Sequence, residues 1–375
     1  MKRVVIIGGG YGGTKALSVL ASSGACEVVL IDRNRFHYRQ AELHEFIASV
    51  VPLERVMIDL AAFSRKLGPR ADFIHASVEA IEPQAQRVVL QEGRTLCYDA
   101  LVVATGASTH FPKQIGGIDA FARDIKEFAG AFYNRQRFEE LLFLRRKSSR
   151  VAIGGAGLSG VEIAAEMAHR ARRLGLGPEE LTVTLIEPMA TVLPGMDPFL
   201  IEATQRALDA LGVEQIHGRF ITQVEADRVV LTGEKALACD LFIFTGGVVP
   251  RQSHQAGVLP RGERGEVLIE PTLQVQGFER IFAVGDVTQL CDSSGHPQPP
   301  TSQTAKQSGK CAAQNVLALF RGEALKPCHV AIRGVMVALG GHNAAGILWD
   351  RIRLKGVLAG SLKRLIFWLH ARSFR

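Results

Sequence analysis

Short apolar runs, each ending at a glycine or an acid and followed by helical spacing, set the layout of the chain. Val4-Val5-Ile6-Ile7 reads as a buried strand, and Gly8-Gly9-Gly10-Tyr11-Gly12-Gly13 then opens a helical pattern. Glu27-Val28-Val29-Leu30-Ile31 is the next strand, closed by Asp32. Residues 71 to 91 turn β-rich, and Leu101-Val102-Val103-Ala104-Thr105-Gly106 is an apolar strand ending in Thr-Gly. The same order then returns. Val151-Ala152-Ile153-Gly154 leads into Gly155-Ala156-Gly157-Leu158-Ser159-Gly160, the strand at Leu181 to Ile186 closes on Glu187, and Leu241-Phe242-Ile243-Phe244 precedes Thr245-Gly246-Gly247. Three features recurring in order are an internal repeat. They predict an α/β fold with two Rossmann-like, three-layer dinucleotide-binding domains.

Each glycine of the first turn has a physical task. Gly8 permits the tight turn, Gly10 lets the backbone approach a pyrophosphate, and Gly13 lets the helix pack on the strand. The phosphates would sit on the helix N-terminus. Asp32 lies nineteen residues past Gly13, where a carboxylate can bind a ribose. Gly155, Gly157, Gly160 and Glu187 repeat the arrangement 147 residues later. Two such sites imply two dinucleotides, with electron transfer between them as the obvious use. Glu187 can accept from both ribose hydroxyls but repels a 2′-phosphate, and Pro188, Met189 and Ala190 supply no compensating Arg, so NADH is expected over NADPH.

Between and after the repeats the text is less regular. Residues 33 to 40 form a basic run, read as a solvated loop in which Arg33 can approach an adenosine phosphate, and Ala41 to Ser49 reads as helix. Ile281-Phe282-Ala283-Val284 is a buried strand ending in Gly285-Asp286. Beyond Pro299-Pro300, residues 301 to 313 read as a helix capped by Thr301 or Ser302.

Composition narrows the class. The formal charge of +7 suits a nucleic acid, an anionic surface or an anionic substrate, but 7% aromatic residues with four Tyr give no base-stacking surface, so no nucleic acid is expected. The six cysteines, at 26, 97, 239, 291, 311 and 328, contain no C-x-x-C and read as reduced intracellular thiols. Met1-Lys2-Arg3 runs straight into the first strand, leaving no room for a cleavable signal, and no apolar run reaches the ~18 residues of a spanning helix. The expectation from these features is a cytosolic or membrane-peripheral protein.

Taken together, the first fingerprint with Asp32, Ala104-Thr105-Gly106, the second fingerprint with Glu187, Thr245-Gly246-Gly247 and Gly285-Asp286 resemble the flavoprotein reductases with two dinucleotide domains. The resemblance implies FAD on Gly8, Gly10, Gly13, Asp32, Arg33, Val78, Ala104, Thr105, Gly106 and Asp286, and NADH on Gly155, Gly157, Gly160, Glu187 and Gly246. It also implies a helix after Asp286 aimed at the flavin pyrimidine, where a helix N-terminus favours the anionic reduced ring. Disulfide reductases need a C-x-x-x-x-C pair near residues 41 to 50, which is missing, and no Cys lies between 97 and 239 to serve a sulfide:quinone oxidoreductase.

Within that superfamily the chain resembles the type II NADH dehydrogenases, which pass electrons from NADH through FAD to a membrane quinone. His37 to Glu45 resembles the family's stretch after the ribose acid, and Ser302 to Gly309 resembles its A-Q-x-A-x-Q-Q-G motif, with Ser302 in place of Ala and Ser308 in place of the second Gln of the pair. Gly340 to Ala344 and Leu354 to Gly360 resemble its C-terminal patterns. The resemblance implies that Gln303 and Gln307, four apart on one helical face, line the quinone side of the flavin, and that Glu162 stands beside the nicotinamide or relays a proton. The implied domains are FAD-binding over 1–115 and 248–330, NADH-binding over 116–247, and a C-terminal membrane-interface segment over 331–375.

From Val357 onward, Leu358, Leu362, Leu365, Ile366, Phe367, Trp368 and Leu369 alternate with Lys363, Arg364 and Arg372. This suits an amphipathic helix lying in a membrane interface, anchored by Trp368. The protein's own core, or a second copy of the chain giving a homodimer, is the other acceptor for that face. Two other activities stay open: NADH-dependent reduction of a soluble carrier such as rubredoxin or ferredoxin, and a redox-controlled binding protein resembling apoptosis-inducing factor.

Overall fold

The computed structural model describes residues 1–144, 148–251, 258–372 and 374. In chain order the framing elements are β1 (Arg3–Ile7), α1 (Tyr11–Ser23), β2 (Glu27–Asp32), α2 (Leu43–Ile47), β3 (Ala71–His75), β4 (Ala100–Val103), β5 (Ser149–Gly154), α3 (Leu158–Arg173) and β6 (Leu181–Glu187). There follow β7 (Glu214–His217), β8 (Leu241–Phe244), β9 (Ile281–Ala283), α4 (Ser302–Arg321), β10 (Gly334–Ala338), β11 (Ala344–Leu348), β12 (Ile352–Gly356) and α5 (Val357–Arg372). The chain divides into two compact units. The first is Met1–Tyr38, Met57–Ser108 and Val249–Ile332; the second is Arg39–Val56, Thr109–Val248 and Arg333–Arg375.

In the first unit a parallel sheet runs β9-β4-β1-β2-β3. Its strands carry β-branched residues on both faces because both are covered. Val5, Ile7, Val29, Ile31, Leu101 and Val103 share a core with Val78, Ile81, Val88 and Leu90 of an antiparallel sheet laid across one face. Helix α1 packs on the strands β1 and β2, and α4 packs on α1, which completes three layers. The return of β9 to this sheet makes the unit discontinuous in sequence.

The second unit repeats the plan with a parallel sheet β7-β6-β5-β8. Its antiparallel cover, Ile221–Val224, Arg228–Leu231 and Lys235–Ala238, supplies Val224, Val229 and Leu231 to a core shared with Ala152, Ile186 and Phe242. Helix α2 packs on α3, and the antiparallel sheet β10-β11-β12 runs directly into α5. The C-terminal segment is thus part of this unit. Gly360 is the reason α5 can come so close: a Cβ there would lie 2.0 Å from the His342 carbonyl oxygen.

Local readings differ from the structure in extent. The helix expected over 41 to 49 is a 3-10 turn, Gln40–Glu42, followed by the short α2. The helix expected over 301 to 313 is capped by Thr301, whose hydroxyl accepts from the Thr304 amide, and continues to Arg321 before Gly322 ends it with φ +70°. Arg39, read as part of a solvated run, is buried and ion-paired to Glu42. Glu42 also accepts from Arg55 at 3.0 Å, and Arg39 donates to the Phe367 carbonyl at 2.9 Å. That network ties residues 39–56 to α5.

The contact between α1 and α4 depends on bare backbone. A Cβ on Gly309 would lie 2.2 Å from the Gly12 carbonyl oxygen, so any side chain forces the helices apart. Gly309→Ala should therefore lower stability by about 1–3 kcal/mol in urea unfolding, despite alanine's better helix propensity. Unchanged or raised stability would show that the helices do not meet this closely.

Candidate functional site

In the first unit β1 runs straight into Gly8-Gly9-Gly10 and α1 starts at Tyr11. Gly8 has φ +107°, and a Cβ on Gly13 would lie 1.8 Å from the Gly8 carbonyl oxygen, so only glycine lets the helix seat on the turn. At Gly10, by contrast, nothing lies within 4 Å of a would-be Cβ. That open ground is where a pyrophosphate approaches the chain. Asp32 is fixed at the end of β2: one carboxylate oxygen accepts the Gly9 amide at 2.6 Å and the other the Asn34 amide at 2.7 Å. Burial pushes its carboxyl upward, against the pull of those amides and of Arg33 and Arg251.

The other expected FAD contacts gather around this turn or at its edges. The Ala104 carbonyl faces Gly8, where a Cβ would come within 2.3 Å of it. Beside it, Thr105 Oγ1 is buried with no hydrogen-bond partner among the described residues, and Gly106 follows with φ +73°. An orphaned hydroxyl next to an open glycine turn is a place that a polar ligand satisfies. Asp286 sits in the single turn Gly285–Val287. The Gly285 amide donates to Ser308 Oγ at 3.0 Å, and that hydroxyl donates to the Ala305 carbonyl. Ser308, which in the sequence is only a departure from a motif, thus fastens the Asp286 turn to α4. Arg33 is exposed, and the Val78 side chain lies in the core, which leaves its main chain for any ligand contact. These features fit FAD.

The second unit repeats the cradle. Gly155 has φ +100°, a Cβ on Gly160 would lie 1.9 Å from the Gly155 carbonyl oxygen, and Gly157 again has nothing within 4 Å. Glu187 accepts from the Ala156 amide at 2.7 Å and from the Met189 amide at 3.0 Å, matching Asp32 bond for bond. Thr245 Oγ1 donates to the carbonyls of Gly154 and Gly155, and Gly246 beyond it is exposed. This geometry fits NADH.

Glu162, just past the first turn of α3, is deeply engaged. Its carboxylate accepts from the Ala338 amide at 2.8 Å, is ion-paired to Lys363 of α5, and lies 3.5 Å from His44 Nδ1 of α2. Burial alone would raise its carboxyl; His44 when protonated, the charge of Lys363 and the bonds from Lys363 and Ala338 hold it below the ordinary range. His44 is pushed down to about 4 by burial and is neutral at neutral pH, so Lys363 is the standing countercharge. One turn on, Glu166 accepts the Gly341 amide at 3.1 Å, and burial, with Glu45 and Glu162 nearby, pushes it up to about 7. His44, Lys363 and Glu166 were not singled out from the sequence. The i, i+4 spacing of Glu162 and Glu166 was the only local sign of them.

Gln303 and Gln307 are partly buried, one turn apart on α4. The Gln307 amide donates to the Ala331 carbonyl at 2.8 Å and its oxygen accepts the Ala331 amide at 3.0 Å. It also reaches the Gln303 carbonyl at 3.2 Å.

The profile of the pyridine nucleotide-disulphide oxidoreductases matches residues 2–309, and the chain belongs to that family. Among curated proteins it is 28% identical to the type II NADH:quinone oxidoreductase of Staphylococcus epidermidis, over 97% of this chain and 94% of that one. It is 27% identical to the Staphylococcus aureus protein of the same name, with the same coverage. Among solved structures, NDH2 from Plasmodium falciparum in complex with NADH superposes with a TM-score of 0.82 at 16% identity, over 98% of this chain and 94% of that one. The sulfide:quinone oxidoreductase from Aquifex aeolicus gives 0.83 at 20% identity, over 100% and 92%. At those identities the structures share the fold.

The Glu166 carboxyl has a consequence for stability. Unfolded, it ionises near 4.5; folded, at about 7, so the folded state is favoured fully below 4.5 and loses that advantage as pH rises to 7. Relative to Glu166→Gln, which keeps an acceptor for the Gly341 amide, the native protein should lose on the order of 3 kcal/mol over that window in urea unfolding. A difference that stays flat with pH would contradict it.

Proposed function

We propose that this chain is a type II NADH:quinone oxidoreductase, an FAD-dependent enzyme that moves electrons from NADH to a membrane quinone without pumping protons. The observation that carries the reading is the duplicated cradle: two glycine turns with open ground at Gly10 and Gly157, each closed by a carboxylate bonded back to the turn. When bound, FAD accepts hydride from NADH and passes the electrons on to quinone. The C-x-x-x-x-C pair of disulfide chemistry is missing near residues 41 to 50, and no Cys lies between 97 and 239 to serve sulfide chemistry. The relatives in Staphylococcus, alike over nearly the whole of both chains, support the same assignment.

The residues then divide the work. Gly8, Gly10, Gly13, Asp32, Ala104, Thr105, Gly106 and Asp286, with Arg33 and the Val78 main chain, hold FAD. Gly155, Gly157, Gly160, Glu187 and Gly246 hold NADH, and the Glu187 carboxylate selects the free ribose hydroxyls. Glu162, ionised and backed by His44 and Lys363, takes and returns a proton or orients the nicotinamide. Gln303 and Gln307 line the quinone side, with Gln307 held in place by Ala331.

Helix α5 supports a peripheral place on the inner face of the membrane. It buries its charged Lys363, at 8% exposure, while Leu358, Leu365 and Trp368 stand 78%, 50% and 50% exposed. An apolar outer face flanked by Arg364 and Arg372 suits a lipid interface. No helix among the described residues is long and apolar enough to cross a membrane.

Two experiments test these readings. Under anaerobic conditions NADH should bleach the flavin, and a short-chain quinone should restore the oxidised spectrum faster than ferredoxin or air; faster recovery with ferredoxin would overturn the quinone assignment. The protein should co-sediment with anionic vesicles, and Leu365→Asp with Leu369→Asp should weaken that at least tenfold while leaving bleaching by NADH intact. A dimer in solution that the same pair of substitutions splits, with no vesicle binding before or after, would assign the face to a second copy instead.

A further inference from the structure

The outer face of α4 holds a segment of chain by its main chain, and two cysteines meet in the middle of that seam. Gln307, Cys311 and Asn315 are spaced four apart and share one helical face. At one end Asn315 donates to the Lys326 carbonyl at 2.9 Å and accepts the Lys326 amide at 3.0 Å, while also donating to the Thr272 carbonyl. At the other end Gln307 makes the same two-bond clamp on Ala331. Between the clamps, residue 328 of the segment runs along the same stretch of α4 that carries Cys311, and the two thiols lie close enough to perturb one another. Residue 328 is itself pinned, its amide donating to the Pro271 carbonyl at 2.8 Å.

We propose that Cys311 and Cys328 are a reversible disulfide site that locks residues 326–331 onto α4 when a low-molecular-weight disulfide such as oxidised glutathione is abundant. Both are free thiols here, and both are partly exposed, so the oxidant can reach them. The reaction balances as two exchanges. The Cys311 thiolate attacks one sulfur of the oxidant and releases one small thiol; the Cys328 thiolate then attacks the Cys311 sulfur and releases the second. The protein loses two hydrogens, which leave on the two small thiols, and a small dithiol reverses the change.

The order of attack follows from the contact. The neighbouring Cys328 thiol favours the thiolate on Cys311, while Cys311 and burial disfavour it on Cys328, so Cys311 is the first nucleophile and Cys328 the resolving thiol. The other cysteines make internal controls. Cys26 and Cys239 are buried, and burial pushes their thiols up to about 11 and 12. Cys97 is exposed and can take up a small thiol without a second protein sulfur to displace it. Because the pair sits between clamps on Lys326 and Ala331, the bond shortens the slack of a segment whose far end holds Gln307.

The test uses the full-length, flavin-loaded protein. It is incubated with oxidised glutathione, quenched with iodoacetamide and digested without reduction. The expected result is a cross-linked peptide pair containing Cys311 and Cys328, a rise of several degrees in melting temperature, and slower hydrogen exchange at the Ala331 amide, all reversed by dithiothreitol. Cys328→Ser should instead leave glutathione on Cys311 with no rise in melting temperature. If that variant does not fold, the cross-link in the unsubstituted protein decides alone. Recovery of both residues as separately alkylated thiols, or each with glutathione and no cross-link, overturns the proposal. None of these readouts depends on the electron acceptor.

Discussion

Both units depend on a strand and a helix meeting where no Cβ can be accommodated. At Gly13 and Gly160 a side chain would fall within 2 Å of the carbonyl at the head of the same turn. Within each unit that closeness aims the first-turn amides of its own helix at its own glycine turn, and it leaves Gly10 in the one and Gly157 in the other bare beside it. The acid at the end of the neighbouring strand completes the arrangement by accepting an amide of the turn itself. Backbone geometry, helix dipole and carboxylate then all point at a ligand with phosphates and a ribose. Replacing any one of the crowded glycines would move the other two contributors with it.

The second unit adds a different constraint, a charged group placed inside so that an apolar face can lie outside. Lys363 turns inward to Glu162, and His44 from α2 closes the group from the other side. A buried ion pair of this kind contributes little net stability, but removing one partner leaves the other charge stranded. What it secures here is orientation. With Lys363 held, the opposite face of α5 carries Leu358, Leu365, Ile366 and Leu369 to solvent, an arrangement a helix packed for its own stability would reverse. The Arg39 network fixes the same helix through the Phe367 carbonyl.

The features that were legible in the sequence are those with a strict spacing. The repeat, the glycines, Asp32 and Glu187 each follow from a local rule that has one structural solution, while the helix cap follows from a rule that left Thr301 and Ser302 both open. Features made by distant residues were not. Nothing near Ser308 announces that its hydroxyl serves Gly285, because the two are brought together by the packing of α4 on the nucleotide turn. Arg39 reads as one more solvated arginine until Glu42, Arg55 and α5 surround it. Gln307 was legible as half of a face but not as a clamp, since its partner Ala331 lies in an irregular segment without periodicity.

The two carboxylates allow the duplicated-cradle account to be tested with one pair of variants. Asp32→Ala and Glu187→Ala are purified, flavin content is read from the visible spectrum, and bleaching by NADH is compared with bleaching by dithionite. The account predicts a clean split: Asp32→Ala loses flavin, while Glu187→Ala keeps it, bleaches normally with dithionite and requires far more NADH. Loss of flavin from Glu187→Ala, or full retention by Asp32→Ala with impaired response to NADH, would contradict it.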